Sequence, residues 1–242
     1  MLDGTMTGTR ASHRHGLLLW LRRAAVVAVI LFEVFVFLVI ILRFINPPVT
    51  TVMIAERLKG AHIERRWVPL SDISGELPLA VIAGEDGRFC YHWGVDWGAL
   101  KDAIAEANRD GGEMRGASTI PMQTAKNIFL WTSRSYIRKG LEMPMAYVMS
   151  LFWSKQRMME VYLNVAQWGP GVFGAEAASQ YHFHKSAAEL DRHEAALLAA
   201  ALPSPRVRNP GKPGPRLTRI ARAIELRMGR MAPRAACVLS PR

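Results

Sequence analysis

Acidic residues are scarce in this chain of 242 residues: 20 Asp and Glu stand against 31 Lys and Arg, for a formal net charge of +11 and a pI near 10.3. That balance excludes an acidic, self-solvating chain and favours an anionic partner, whether nucleic acid, an acidic membrane surface or a phosphate-bearing substrate. Cysteine is scarcer still. Cys90 and Cys237 lie 147 positions apart and do not make a disulfide framework. Cys237 sits in a Pro/Arg-rich tail and is expected to be a free thiol, with a Cys90–Cys237 bridge as the less favoured alternative. Sustained strand-type alternation and internal repeats are also missing, which leaves a mostly helical domain. Three familiar site types are excluded as well. His182-Phe-His184 has no third and fourth metal ligand nearby, and Ser118 has no His/Asp relay. Gly169-Pro-Gly171-Val-Phe-Gly174 follows a helical pattern and carries Pro170 in its turn, so it is not a dinucleotide fingerprint.

Long hydrophobic runs are limited to one. Ala24 to Leu42 is a run of 19 residues with a single charge, Glu33, close to the length that crosses a bilayer as a helix. It is longer than the apolar region of a signal peptide, and no Ala-x-Ala cleavage site follows, so an uncleaved anchor is expected. Arg10, Arg14, Arg22 and Arg23 precede the run and place the N-terminus in the cytoplasm, with the rest of the chain outside it. Nucleic acid then drops out as a partner, and an anionic lipid-linked substrate comes forward. Glu33 at mid-span reads either as a helix–helix contact or as a tolerated charge in a single span.

The organisation expected is a cytoplasmic N-terminus over 1–23, a transmembrane helix over 24–45, and a membrane-proximal linker and helix over 46–68. A catalytic domain over 69–205 and a basic Pro/Arg-rich helix and tail over 206–242 follow. Asn46-Pro47-Pro48 ends the span, and Thr50 or Thr51 caps a short helix that reads as the first core helix or as one lying on the membrane. Helices are expected over 95–108, 137–153, 156–166 and 194–202. Leu217, Ile220, Ala221, Ile224 and Met228 mark a terminal helix, read either as a basic helix on anionic lipid or as a packed helix with a solvated basic face, and the last dozen residues are expected to be disordered.

The chemistry concentrates in two blocks. Glu85 and Asp86 end the apolar segment Ala80-Val-Ile-Ala83, where a carboxylate is poorly solvated and its pKa rises, which suits a general base. Adjacent residues point to different sides of the backbone, so Glu85 is read as the base and Asp86 as its support. From the residues alone His92 reads first as a hydrogen-bonded structural histidine, and Phe89 and Trp93 read most simply as core. About twenty residues on, Ser118 and Thr119 follow Gly116, and a helix starting there would aim its N-terminal amides at an anion. Gln123, Lys126 and Asn127 can share one face of that helix. Lys126, with Arg138 and Lys139, could neutralise a diphosphate. For any one of these residues a helix cap or a solvated charged face would suffice; for all of them together it would not.

Five ordered blocks between about Pro69 and Pro205 resemble the family 51 glycosyltransferases, the peptidoglycan polymerases. They are Glu85-Asp-x-x-Phe89-x-x-His92-x-Gly94; Gly116-Ala-Ser-Thr-Ile-x-x-Gln-x-Ala-Lys-Asn127; Arg138-Lys139-x-x-Glu142; Lys155-x-x-x-x-Glu160-x-Tyr-Leu-Asn164 through Gly169 and Gly174 to Ala178; and Ala195 to Pro205. No room remains after Arg242 for a transpeptidase domain, which points to the monofunctional members. The second block departs from the family at Pro121 and Met122, where polar residues are usual.

The resemblance implies a mostly α, lysozyme-like glycosyltransferase domain behind one N-terminal transmembrane helix, in the periplasm at the bacterial inner membrane. It implies Glu85, Asp86 and Glu142 as the catalytic residues. Phe89, His92, Ser118, Thr119, Gln123, Lys126, Asn127, Arg138 and Lys139 become the substrate contacts. Lipid II and the lipid-linked glycan strand are the substrates, and divisome or cell-wall synthesis proteins are candidate partners. No metal site is expected; a divalent cation could assist, but no ligand set stands out. Two rivals remain: a membrane-bound lytic glycosidase, which needs the carboxylate but not three cations beside it, and a non-enzymatic cell-wall scaffold.

Overall fold

The computed structural model describes residues 8–110, 116–133 and 135–239. The chain divides into two compact units, Met1–Ile45 and Asn46–Arg242. The first holds α1, Gly8–Phe44. Its stretch Leu18–Phe44 is 27 residues long and apolar enough to cross a membrane, and at 1.5 Å per residue it reaches about 40 Å. Glu33 lies within this stretch and is exposed along the helix.

The second unit begins with α2, Thr51–Leu58, capped by Thr50, whose hydroxyl accepts from the Met53 amide at 3.3 Å. A short strand, β1 (Glu64–Arg65), follows. Helix α3, Glu76–Glu85, is buried all round from Leu77 to Ala83 and packs against two later helices, α9 (Arg192–Ala201) and α10 (Pro215–Met231). An apolar surface on every side is what a central helix needs. After α4 (Trp97–Asp110), the second central helix α5 (Ile120–Phe129) packs against both α6 (Tyr136–Phe152) and α7 (Lys155–Val165). Thr119, Ser135 and Ser154 cap these three helices through their hydroxyls.

A small sheet closes one side. Strands β2 (Gln167–Gly169) and β3 (Val172–Phe173) form an antiparallel hairpin, and β3 pairs in parallel with β1, giving the order β1-β3-β2 with Glu64 opposite Val172. Sequence periodicity does not find this sheet because strands of two or three residues are too short to alternate. The Gly169–Gly174 stretch is this hairpin and the N-cap of α8 (Ala175–Phe183), not a strand-to-helix phosphate loop. His182 donates to the Trp168 carbonyl at 3.0 Å from a buried position, where it secures the fold.

Helix α9, Arg192–Ala201, opens with a capping box between Asp191 and Glu194. Helix α10, Pro215–Met231, buries Leu217, Ala221, Ile224 and Met228 and leaves Arg222, Arg227 and Arg230 exposed.

Two expectations for the C-terminus are corrected. Residues 232–239 are helical, ending in α11 (Ala236–Leu239), and they pack against α3, α7 and the turn Phe89–Tyr91. That docking brings Cys237 to Cys90. The two are joined in a disulfide with their Cα atoms 5.8 Å apart, so Cys237 is not a free thiol. Sequence separation concealed the bridge; the packing of α11 creates it.

Candidate active site

Glu85 is the last residue of α3 and is half-buried. Its Oε2 accepts from Gln123 Nε2, one turn into α5, at 2.7 Å. Burial raises the Glu85 pKa above the usual carboxylate value. The Gln123 hydrogen bond and the charges of Lys126 and Arg208 partly offset this, while Asp86 adds to it.

Asp86 turns the other way. Its two oxygens lie 2.9 and 3.0 Å from His92 Nε2, and Oδ2 also accepts from the Ile120 amide at 2.9 Å. One buried carboxylate therefore joins the end of α3, the loop carrying His92 and the first turn of α5. Thr119 reinforces this join: its hydroxyl donates to the Gly94 carbonyl at 2.5 Å and caps α5 through the Met122 amide. Gly94 has φ +92°, and a Cβ there would meet the Ala146 backbone at 2.6 Å. Only glycine lets this loop close onto α6.

The cations gather beside Glu85. Lys126, on α5, has its pKa lowered first by burial and then by Arg138, while Glu85 opposes the shift. Lys126 thus feels the charges of both the acid and Arg138. Burial lowers Arg138 and, together with Arg138 itself, Lys139. Arg138 donates to Glu142 one turn on and to the Ser133 carbonyl, the latter at 2.9 Å. A crowded group of partly desolvated cations is suited to receiving a multivalent anion.

The structure separates the expected contacts into two sets. Glu85 and Gln123 are joined by a hydrogen bond and Arg138 and Glu142 by an ion pair, while Lys126 and Lys139 feel the charges of this constellation. Asp86, His92 and Thr119 hold that constellation in place. Ser118 is half-buried just ahead of the cap, and Asn127 is buried. Phe89 is fully buried and leaves no face for a ligand; it supports Lys155, whose ammonium lies 4.5 Å over its ring. Trp93, read as core, is 64% exposed instead, because Gly94 and Val95 are the residues that close onto α6 here. Pro121 and Met122 are buried, and Met122 packs with Val95 and Ala146, so their apolar character serves the core and not the cleft.

Three residues were not picked out as site residues from the sequence. Tyr162, fully buried on α7, donates its hydroxyl to Gln123 Oε1 at 3.0 Å. Lys155 donates to the Phe89 and His92 carbonyls at 2.5 and 2.6 Å, and burial lowers its pKa to about 8. Arg208, after α9, donates to the Ala200 carbonyl at 2.5 Å and places a positive charge toward Glu85. Tyr162 and Lys155 lie in the fourth sequence block, which was a signal; Arg208 lies in a Pro-rich loop that offered none. Among the described residues no three His, Cys, Asp or Glu converge on a metal site.

A carboxylate base beside a cluster of cations is the machinery of group transfer from an anionic leaving group. A family described as transglycosylase matches residues 51–231. Three similar proteins carry the name biosynthetic peptidoglycan transglycosylase. That of Agrobacterium fabrum is 52% identical over 198 residues, covering 82% of this chain and 87% of its own length. That of Rhodospirillum centenum is 48% identical over 224 residues, covering 91% of this chain and 96% of its own. That of Brucella suis is 46% identical over 225 residues, covering 91% of this chain and all of its own. The chain belongs to the transglycosylase family and is a glycosyl-transferring enzyme.

Proposed function

We propose that this chain is a peptidoglycan glycosyltransferase that joins lipid II into β-1,4-linked glycan strands and releases undecaprenyl diphosphate. The observation that carries the reading is Glu85: a desolvated carboxylate, fixed by Gln123, facing the field of Lys126 and its neighbours. Glu85 takes the proton from the acceptor GlcNAc 4-hydroxyl. That oxygen attacks C1 of the donor MurNAc while the C1–O bond to the diphosphate breaks, so configuration inverts in a single displacement. The base resembles that of an inverting glycosidase, with a sugar hydroxyl in place of water. Lys126, Arg138 and Lys139 stabilise the charge arriving on the diphosphate, and Glu142 fixes the Arg138 guanidinium. Asp86 and His92 are positioning residues. A lytic glycosidase would gain nothing from the cations, and a scaffold would not need a desolvated base.

Location follows the same reading. The arginines before the span favour a cytoplasmic N-terminus, which supports a periplasmic location at the inner membrane for unit 46–242. The Cys90–Cys237 disulfide independently favours an oxidising compartment.

The test is to incubate the detergent-solubilised protein and its Glu85→Gln form with lipid II and to resolve the products by size. Long strands from the wild type alone are expected. Equal turnover by both forms would remove Glu85 from the mechanism. No strands from either, where a known polymerase works, would return the scaffold and lytic readings.

A further inference from the structure

Apart from the active-site constellation, the second unit contains a cavity of about 510 Å³, lined by chain between Asn46 and Trp67. Its apolar wall is Val49, Met53, Ile54, Leu58, Ile63 and Trp67. Ile54 and Leu58 are 46% and 83% exposed, an unusual state for large aliphatic side chains side by side on one short helix. The charged part of the lining is Arg57 and Arg65, with no carboxylate. Arg65 is built into the wall. It donates to the Pro47 and Pro48 carbonyls at 2.8 and 3.0 Å and to the Asn164 carbonyl at 3.1 Å, and it stacks 5.1 Å over Trp67. The Arg57 side chain is exposed, and its guanidinium has no hydrogen bond or ion pair among the described residues. The nearest acid on α2, Glu56, faces Lys59 and Arg206.

We propose that this cavity holds an acyl chain of an anionic phospholipid, with Arg57 on the lipid phosphate. Two observations select that occupant. The lining is apolar inside and purely cationic at its charged positions, which matches an amphiphile with a negative head. The wall also starts at Asn46, one residue after Ile45. No more than about 18 Å of extended chain separates Val49 from Phe44, the end of the apolar helix. If α1 spans the bilayer, the cavity is tethered to the lipid surface. A soluble anion would have no use for the apolar wall, and Trp67 is of the type that favours the membrane interface. The proposal rests on the anchor reading of α1 and not on the glycosyl-transfer chemistry.

The test uses the full chain in nanodiscs of phosphatidylcholine mixed with phosphatidylglycerol, with either lipid brominated on its acyl chains. The signal from Trp67 is the difference between wild type and Trp67→Phe. Brominated phosphatidylglycerol is expected to quench it more strongly than brominated phosphatidylcholine. Arg57→Gln should reduce that preference about fivefold, the effect of one basic group at an anionic surface. Ile54→Glu should abolish the quenching. Both variants should polymerise lipid II in detergent as the wild type does and unfold at its temperature, which separates failure here from failure of the catalytic reading. Equal quenching by both lipids, unchanged by Arg57→Gln, would overturn the proposal in favour of bulk lipid contact. So would quenching relieved by undecaprenyl phosphate but not by unbrominated phosphatidylglycerol, since the occupant would then be the substrate's chain. Absence of Trp67 quenching by either lipid would leave the cavity without a lipid.

Discussion

Gln123 Nε2 donates to Glu85 Oε2 at 2.7 Å, while Gln123 Oε1 accepts from the buried Tyr162 hydroxyl at 3.0 Å. Because an ionised carboxylate only accepts, the amide must turn its NH2 to Glu85, and the Tyr162 proton locks it that way. Three helices, α3, α5 and α7, thus meet at a single base. The Gln123 hydrogen bond favours the charged form of Glu85, while burial opposes it.

Removing the donor should therefore leave less of the base ionised as the pH falls. In Gln123→Ala, Glu85 loses the largest influence that holds its pKa down. The acid limb of the rate profile should move to higher pH, with turnover on that limb falling about ten- to a hundredfold, the worth of a hydrogen bond to a charged group. Tyr162→Phe keeps the donor but frees the amide, so a smaller shift in the same direction is expected in kcat with KM unchanged. An acid limb that stays in place in both variants would dissociate this relay from catalysis.

The same desolvation has a cost in stability. The folded pKa of Glu85 lies above the unfolded value, so the folded state holds the extra proton between the two values. Stability from this group is fully present below the unfolded value and is lost as pH rises through the folded one. Glu85→Gln carries no such charge. It should melt above the wild type at neutral pH, and the gap should close as the pH falls below about 4.5. A pH-independent gap would indicate a packing effect instead.

How much of this was legible in the sequence depends on the range of the interaction. The helices and their caps at Thr50, Thr119 and Ser154 are local, and residue type and period indicate most of them. The pairing of Glu85 with cations thirty to sixty residues away was visible as ordered blocks, but not which side chain touches which. Asp86 is the instructive case. Its adjacency to Glu85 suggests shared chemistry, yet its carboxylate is occupied by His92 and the Ile120 amide. Phe89 is similar: its place in a motif signals function, while its full burial makes it the support of Lys155. Arg208, the β1-β3-β2 sheet and the disulfide all depend on contacts that local periodicity does not encode.

Lys126 should set the alkaline side of the rate profile. Burial and Arg138 lower its pKa below that of an ordinary lysine, so it discharges sooner as pH rises and ceases to balance the diphosphate. Lys126→Arg should move the alkaline limb upward, since a guanidinium stays charged. Lys126→Met should remove that limb and reduce turnover about a hundredfold or more, as loss of one preorganised electrostatic contact does. Lys139→Arg serves as the comparison. If it alone moves the limb, the cation that matters lies on α6 and not on α5.

The Cys90–Cys237 bridge closes a loop of 147 residues. A loop of that length limits the unfolded chain by roughly 5 kcal/mol in the chain-entropy description. Cys90→Ser, Cys237→Ser and the double variant should therefore melt well below the wild type and close to one another. Dithiothreitol should bring the wild type down to them and leave the variants unmoved. Turnover at low temperature should survive, because Lys155 still holds the Phe89 and His92 carbonyls and Asp86 still holds His92. Heating should then inactivate the variants first, since Cys90 lies in the turn between Asp86 and His92, and release of α11 loosens that turn. A wild type indifferent to reductant would mean that α11 docks by packing alone. It would also remove the disulfide as an argument for a domain outside the cytoplasm.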